Sequence, residues 1–412
     1  MDVTKAVAVR QNEVTVPFAP DSLSEAIRNH IRHAIVYIAK EELTAFLGAE
    51  THVRTPSRRG YRNGSKERSI TTSFGKTEFM MPRAVLFNGE EWQSTMIPRY
   101  SRRSREVDAT LLGMYFGGVN TRKVKQAIRP LLRDSPLSKS SISRLVVRLK
   151  EYFEGWRQRS LADEAISYLY LDATYVRVRC AGRSGSLPVM VTIGVRTTGE
   201  KVLLSLQVMG SESAAAWEEV VGDLARRGLR RPELAIIDGN PGLSQALERL
   251  WPGLPQQRCV VHKLRNLLAH APRRIHDDIR DDFHAIVYAE DAATAKAARE
   301  SFLRKWRRLS EGVARSLEEA GMDLLTFTRF PKVLWKALRT TNIIERLNQE
   351  FRRRTKTQGM FPTESSILIL LFGLVASGMV KMRRIDGHET ITGSSELRPQ
   401  SQKLEQLEVG IG

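Results

Sequence analysis

Apolar residues near the N-terminus recur at intervals of three or four positions, which is the period of an amphipathic helix. They are Leu23, Ile27, Ile31, Ile35 and Ile38. Asp21 or Ser22 can cap the start of such a helix. The pattern therefore predicts a helix with one core-facing stripe, preceded by a polar tail.

The following stretch combines turn signals, a short β-like run and strong positive charge. The run is KTEFMMPR, the turn signals are RNG at 62–64 and SFG at 73–75, and residues 51 to 105 hold twelve Lys or Arg against four Glu. We predict a small basic hairpin module over 51–110, with Arg62 as a candidate DNA contact.

Residues 111–160 give a helix, a turn rich in Ser and Pro, and a second helix. The apolar face of the second helix consists of Ile142, Leu145, Val146, Leu149, Phe153 and Trp156. This order is typical of a helix-turn-helix motif, but two ordinary packed helices would give the same spacing. If the motif binds DNA, its candidate contacts are Arg122, Lys139, Arg144 and Arg148.

From residue 166 the apolar pattern changes to that of strands. ISYLYLDATYVRVR, LPVMVTIGVRTTG and KVLLSLQVMG follow one another with short connections, which predicts an antiparallel meander. A helix, the run PELAIIDGN, another helix and QQRCVVH come next, and this alternation predicts two parallel additions to the same sheet. The expected fold is α/β, with a mixed five-stranded sheet and helices on its faces.

The C-terminal third reads as helical. Ala298, Phe302, Trp306, Leu309 and Val313 mark an amphipathic helix within the 82 residues that separate His262 from Glu345. We expect a helical insertion there. The run ILILLFGLVASGMV at 367–380 is too short to cross a bilayer and predicts a buried helix.

Charge narrows the choice of partners. The 412 residues include 65 Lys or Arg and 46 Asp or Glu, a formal net charge of +19. Such an excess favours a polyanionic partner, most often nucleic acid. An anionic membrane surface is the alternative, but the sequence shows no secretory signal and no membrane span. Two cysteines cannot build a disulfide framework or a four-cysteine zinc site, which fits a reducing cytosol.

Three carboxylates are candidates for chemistry. Asp172 lies within the first strand of the sheet, where an unpaired carboxylate would be costly to desolvate, and Asp238 ends the fourth strand. With Glu345 they could hold two hard divalent cations, as phosphoryl-transfer enzymes do. Each has an ordinary alternative: a solvent-facing strand residue, a turn residue, and the Glu of a capping box begun by Asn342.

The segment that carries Glu345 is strongly basic. In TTNIIERLNQEFRRRTKTQGMFP the cations Arg352, Arg353, Arg354 and Lys356 follow the carboxylate. They would hold a nucleic-acid backbone while Glu345 holds metal, although a solvated basic helix face remains the alternative.

Several separated blocks of this sequence resemble the Mutator-type transposases of bacterial insertion sequences. The blocks are YLYLDATYVRVR, AIIDGNPGL, RCVVHKLRN and TTNIIERLNQEFRRRTKTQGMFP, and the likeness runs from about residue 40 to residue 387. The resemblance implies an RNase H-like core with a DDE triad at Asp172, Asp238 and Glu345, and two Mg²⁺ ions for which Mn²⁺ can substitute. Glu350 also falls on a motif residue, but five helical steps from Glu345 turn it to another face.

The C-x-x-H motif of that family falls on Cys259 and His262. The pair has the spacing of half a zinc site, yet the only other cysteine is Cys180. We therefore expect a role in packing or in positioning DNA rather than in binding metal.

The resemblance also implies the activity. The expected protein binds the terminal inverted repeats of an insertion sequence, cleaves DNA to free a 3′-OH and joins it to target DNA. It would be an endonuclease and polynucleotidyl transferase of the bacterial cytoplasm, associated with the nucleoid when bound to DNA, and at least a homodimer. A transposase-derived regulator and an RNase H-like nuclease without strand transfer are the alternatives.

The expected domain organisation has seven parts. In order they are a tail and helix at 1–50, the hairpin module at 51–110, the helix-turn-helix-like segment at 111–160, the first part of the catalytic core at 161–262, the helical insertion at 263–335, the C-terminal helices of the core at 336–390, and a flexible tail at 391–412.

Overall fold

The computed structural model describes residues 22–117, 139–180, 183–358, 361 and 363–391. The chain forms two compact units. Among the described residues the first unit covers 22–115 and 139–145, and the second covers the rest. The first helix of the predicted helix-turn-helix, Arg122 and the tail after residue 391 lie outside the described residues.

In the first unit a long helix packs on a β-hairpin. Helix α1 spans Ser22–Leu47, and strands β1 (Gly60–Thr72) and β2 (Gly75–Leu86) pair antiparallel. The two strands lie within the segment predicted to hold a hairpin, and the SFG signal falls at the turn between them. The RNG signal is not a turn between strands: β1 continues through it, and the register shifts between Arg62 and Ser65 as in a β-bulge.

The buried face of α1 differs from the predicted stripe. Ala39, Leu43 and Leu47 are buried against the hairpin, whereas Leu23 is 66% exposed and Ile38 39% exposed. The prediction was wrong for these two side chains, but Ile35 does pack against the hairpin cluster. The buried face therefore continues from Ile35 to Ala39 and not to Ile38.

Two further helices follow the hairpin along the chain. Helix α2 spans Arg105–Phe116 and α3 spans Lys139–Gln158. Leu145 and Phe153 of α3 are buried, as the predicted apolar face requires.

The second unit is built on a mixed five-stranded sheet. Its strands are β3 (Ile166–Cys180), β4 (Arg183–Arg196), β5 (Lys201–Val208), β6 (Leu234–Ile237) and β7 (Gln256–Arg258). Their spatial order is β5-β4-β3-β6-β7. β3 pairs antiparallel with β4 and β4 with β5, while β6 runs parallel to β3 and β7 parallel to β6. The predicted order of antiparallel and parallel strands is confirmed.

Helices cover and extend this sheet. They are α4 (Ala214–Arg226), α5 (Pro241–Leu250), α6 (Val260–Ala269), α7 (His276–Val287), α8 (Ala292–Leu309), α9 (Glu311–Glu319), α10 (Trp335–Leu338), α11 (Asn342–Gln358) and α12 (Glu364–Ala376). One core cluster packs α4 and α5 against the sheet, with Trp217 and Trp251 among its largest side chains.

Between β7 and α11 the described chain is helical, as predicted. Phe302, Trp306 and Val313 are buried, but Leu309 is 64% exposed. The prediction was wrong for Leu309 because α8 ends at this residue and α9 starts at Glu311, so no continuous helix carries the stripe past it.

Helix α12 is buried on all sides in its central part, from Ile367 to Leu374. A Cβ added at Gly373 would lie 2.0 Å from Cε1 of Phe116, so this helix and the end of α2 are in close contact. Within the described residues no helix is long and apolar enough to cross a membrane.

Candidate active site

Asp172 lies in the middle of β3 and is only 7% exposed. Its Oδ1 accepts a hydrogen bond from the backbone N–H of Ala173 (2.9 Å), and its Oδ2 accepts one from Nδ2 of Asn348 (3.0 Å). The solvent-facing alternative for Asp172 is therefore wrong. Burial raises the pKa of this carboxyl to about 7; Asp238 and Glu345 add to the rise and His262 opposes it.

Asp238 follows β6 directly. The parallel pairing aligns Tyr170 of β3 with Ile236 of β6, and Asp172 and Asp238 each follow their paired residue by two positions. Neighbouring strands lie about 4.8 Å apart, and the charge of Asp238 is close enough to raise the pKa of Asp172. Oδ1 of Asp238 accepts the backbone N–H of Asn240 (2.9 Å), across a turn in which Gly239 has φ +98°.

Glu345 belongs to the first turn of α11, and its carboxylate faces α6. Oε1 lies 3.1 Å from Nη1 of Arg265 and 3.7 Å from Nε2 of His262. His262 and Arg265 are one helical turn apart on α6, which explains why both reach the same oxygen.

One face of α11 contributes side chains to the site. Glu345, Asn348 and Arg352 are spaced three and four residues apart, so they share a helix face. Asn348 reaches Asp172, and Nε of Arg352 donates to Oγ1 of Thr174 (3.3 Å), two residues further along β3. Glu350 points elsewhere: its Oε2 pairs with Arg353 (2.7 Å) and lies 3.9 Å from Nη2 of Arg354. This agrees with the predicted separation of Glu350 from Glu345.

Cys259 and His262 connect the last strand to the start of α11. Sγ of the buried Cys259 accepts hydrogen bonds from the backbone N–H and from Oγ1 of Thr341, each at 3.3 Å. The Cys259 thiol beside the imidazole, with the Asp172 and Asp238 carboxylates, raises the pKa of His262 to about 9. In this arrangement the motif fixes the residue that precedes α11 and places the His262 imidazole beside Glu345.

The three carboxylates are near enough to influence one another electrostatically, but their oxygens do not converge on one point. Among the described residues no group of three His, Cys, Asp or Glu side chains is placed to hold a metal ion. Local bonds explain this: Glu345 turns toward Arg265, while Asp172 and Asp238 accept protein N–H groups. The donor chemistry nonetheless fits a hard cation, because carboxylate oxygens are the ligands that such cations prefer and the buried Asp172 carboxylate is only partly compensated by His262.

Candidate DNA contacts fall into different environments. The guanidinium of Arg62 donates to the carbonyl of Ala49 (3.0 Å) and to Oγ1 of Thr44 (2.7 Å), so it ties β1 to the end of α1. Arg144 and Arg148 are exposed on α3, which begins at Lys139. Arg353 is 59% exposed and Arg354 only 16%, and Arg352 and Lys356 are also exposed. Their DNA-binding roles stay predictions.

Two residues of the site were missed from sequence. Arg265 gave no local signal, because its partner Glu345 is 80 positions away. Asn348 did give one: it falls among the apolar positions Ile344, Leu347 and Phe351, where a polar side chain needs a reason.

The second unit is thus a mixed α/β structure in which Asp172 on β3, Asp238 after β6 and Glu345 on α11 influence one another electrostatically. The sequence profile of the family described as "Transposase, Mutator family" matches residues 3–381. The chain belongs to the Mutator family of transposases.

Curated relatives agree with this assignment. The chain is 38% identical over 355 residues to the transposase for insertion sequence element ISRM5 of Rhizobium meliloti, covering 86% of this chain and 87% of that protein. It is 33% identical to the transposase for IS406 of Burkholderia multivorans, covering 86% and 90%. It is 31% identical to the transposase for IS256 in transposon Tn4001 of Staphylococcus aureus, covering 80% and 84%.

A solved structure, the Drosophila P element transposase strand transfer complex, aligns with a TM-score of 0.28 and 11% identity, over 70% of this chain and 83% of that one. A likeness of that size carries no argument about this fold.

Proposed function

We propose that this protein is a DNA transposase whose catalytic carboxylates are Asp172, Asp238 and Glu345. The observation that supports the proposal is the contact of Asn348 on α11 with Asp172, one helical turn from Glu345, together with the parallel pairing of the strands that lead to Asp172 and Asp238. The strand order, three antiparallel strands followed by two parallel ones, is the one expected of an RNase H-like core.

Asp172 and Asp238 would supply oxygen ligands to Mg²⁺ or Mn²⁺, and Glu345 would join them by turning away from Arg265. Divalent cations, when bound, supply activation of the attacking oxygen and stabilisation of the leaving oxygen in phosphodiester exchange. In the metal-free protein Arg265 and His262 hold the Glu345 carboxylate. The same two side chains would place positive charge near a bound DNA phosphate.

The basic face of α11 would position the DNA. Arg352 is anchored to Thr174 on β3, so a phosphate bound to its guanidinium would lie close to Asp172. Arg353 and Lys356 would hold phosphates further along the backbone. Recognition of the terminal inverted repeats would belong to the first unit and α3, because the catalytic carboxylates must act on many sequences.

Cleavage and joining are tested with a duplex that carries the ends of the element encoding this protein. With Mg²⁺, wild type should release a 3′-OH at the element end and join it to a target plasmid. Asp172→Asn, Asp238→Asn and Glu345→Gln should each abolish both products while DNA binding changes little, because each removes a ligand charge but no phosphate contact.

The matched control is Glu350→Gln, on the same helix. It should keep cleavage, since Glu350 pairs with Arg353 rather than with the site. If Glu350→Gln loses cleavage and Glu345→Gln retains it, the assignment of the third carboxylate is wrong. Cleavage without joined products would instead identify a nuclease.

A further inference from the structure

Asn348 occupies a core position of α11. It is 3% exposed and lies among Ile344, Leu347 and Phe351, which are at most 1% exposed. A primary amide in such a place loses its hydration and must recover hydrogen bonds within the protein.

The amide recovers only part of them. Nδ2 donates to Oδ2 of Asp172 at 3.0 Å, while Oδ1 is buried and has no hydrogen-bond partner. An apolar side chain would occupy this position without an orphaned carbonyl. Packing therefore does not explain the asparagine, and the contact with Asp172 does.

We propose that Asn348 is a positioning residue for Asp172. Its N–H fixes Oδ2, and the backbone N–H of Ala173 fixes Oδ1, so the carboxylate has one orientation on β3. Asn348 and Glu345 are three residues apart on α11, so the same bond sets the distance between this helix and the strand. Asn348 thereby couples the placement of two of the three carboxylates, an inference that rests on the proposed function.

The bond itself is tested by exchanging its partners. Asn348→Asp would place two carboxylates together in a buried site and should lower the melting temperature strongly in EDTA at pH 8. Adding Asp172→Asn restores one amide and one carboxylate, so it should raise the melting temperature more in the Asn348→Asp background than it does in wild type. If Asn348→Asp melts like wild type, or if Asp172→Asn raises the melting temperature equally in both backgrounds, the two side chains do not form this pair and the inference fails.

The positioning role is tested by Mn²⁺ binding, followed by electron paramagnetic resonance. Asn348→Leu removes the donor and keeps the branching of the side chain, although leucine is larger. Asn348→Ala removes the donor without any risk of a clash, in case the leucine variant does not fold. Loss of a residue that orients a metal ligand typically costs 10- to 100-fold in affinity. We expect that loss in both variants, with a matching rise in the Mg²⁺ concentration that gives half-maximal cleavage.

Gln349→Ala is the control, since Gln349 is the exposed neighbour on the same helix. It should bind Mn²⁺ as wild type does. If a folded Asn348→Leu or Asn348→Ala also binds Mn²⁺ as wild type does, while Asp172→Asn loses binding, the positioning role is refuted and the proposed function stands. If wild type and Asp172→Asn bind Mn²⁺ equally, the proposed metal site itself fails.

Discussion

Replacing Asp172 by Asn should make the metal-free protein more stable at neutral and alkaline pH. The carboxylate is buried in β3 beside two other acidic side chains, so its ionised form is unfavourable in the folded state. Asparagine keeps the shape, and it can still exchange a hydrogen bond with Asn348, whose unpartnered Oδ1 could accept from the new amide.

The magnitude follows from the pKa. Burial, with the charges of Asp238 and Glu345, raises the pKa of Asp172 from 3.8 to about 7. Between those values the folded state holds a proton that the unfolded chain has lost, so the free energy of unfolding falls as pH rises. Each pH unit in that window costs about 1.4 kcal/mol, which sums to a ceiling of about 4 kcal/mol. Above pH 7 the loss is complete.

The assay is urea unfolding in EDTA at pH 5, 6, 7 and 8. The stability of Asp172→Asn minus that of wild type should increase by about 1.4 kcal/mol per unit up to pH 7 and then level off. Subtracting the two proteins cancels the titrations that they share. Asp163→Asn, at an exposed aspartate just before β3, is the control and should show no such trend. A difference that stays constant from pH 5 to pH 8 would refute the reasoning.

Two further predictions concern DNA. Replacing Arg352 and Arg353 with Ala should weaken binding to all duplexes and reduce the slope of log affinity against log salt by about one to two, measured by fluorescence anisotropy from 50 to 200 mM salt; an unchanged slope would mean a solvated helix face. Replacing Arg144 and Arg148 with Ala should instead remove the preference for the terminal repeat over unrelated DNA, measured by competition; an unchanged preference would place end recognition elsewhere.

The sheet could be predicted from sequence because its signals are local. Strand alternation and the helices between β5 and β7 gave the order of parallel and antiparallel strands. Asp172 and Asp238 could be picked out for a related reason: Asp172 is a charged residue within an apolar strand, and Asp238 directly follows a strand. The burial of Asp172 could not be predicted in the same way. The alternation of apolar and polar residues along a strand does not show whether the second face of the sheet is covered by another element.

The contacts that define the site are not local. Asn348 meets Asp172 across 176 positions and Arg265 meets Glu345 across 80, so neither pair leaves a short pattern. The bulge at RNG and the exposed Ile38 show a second limit. A turn signal or a large apolar residue shows that a segment can form a turn or can be buried. Whether it does so depends on the element that packs against it.

The separation of the acidic residues along the chain has a consequence during synthesis. Asp172 and Glu345 are 173 positions apart, and chains grow at about 5–20 residues per second, so roughly 9–35 s pass between the two. During that interval the hairpin unit and much of the sheet have already left the ribosome, while Glu345 and Asn348 do not yet exist. On the proposed function, a nascent or prematurely terminated chain would therefore carry the hairpin unit and Asp172 without the third carboxylate, and it would lack cleavage activity.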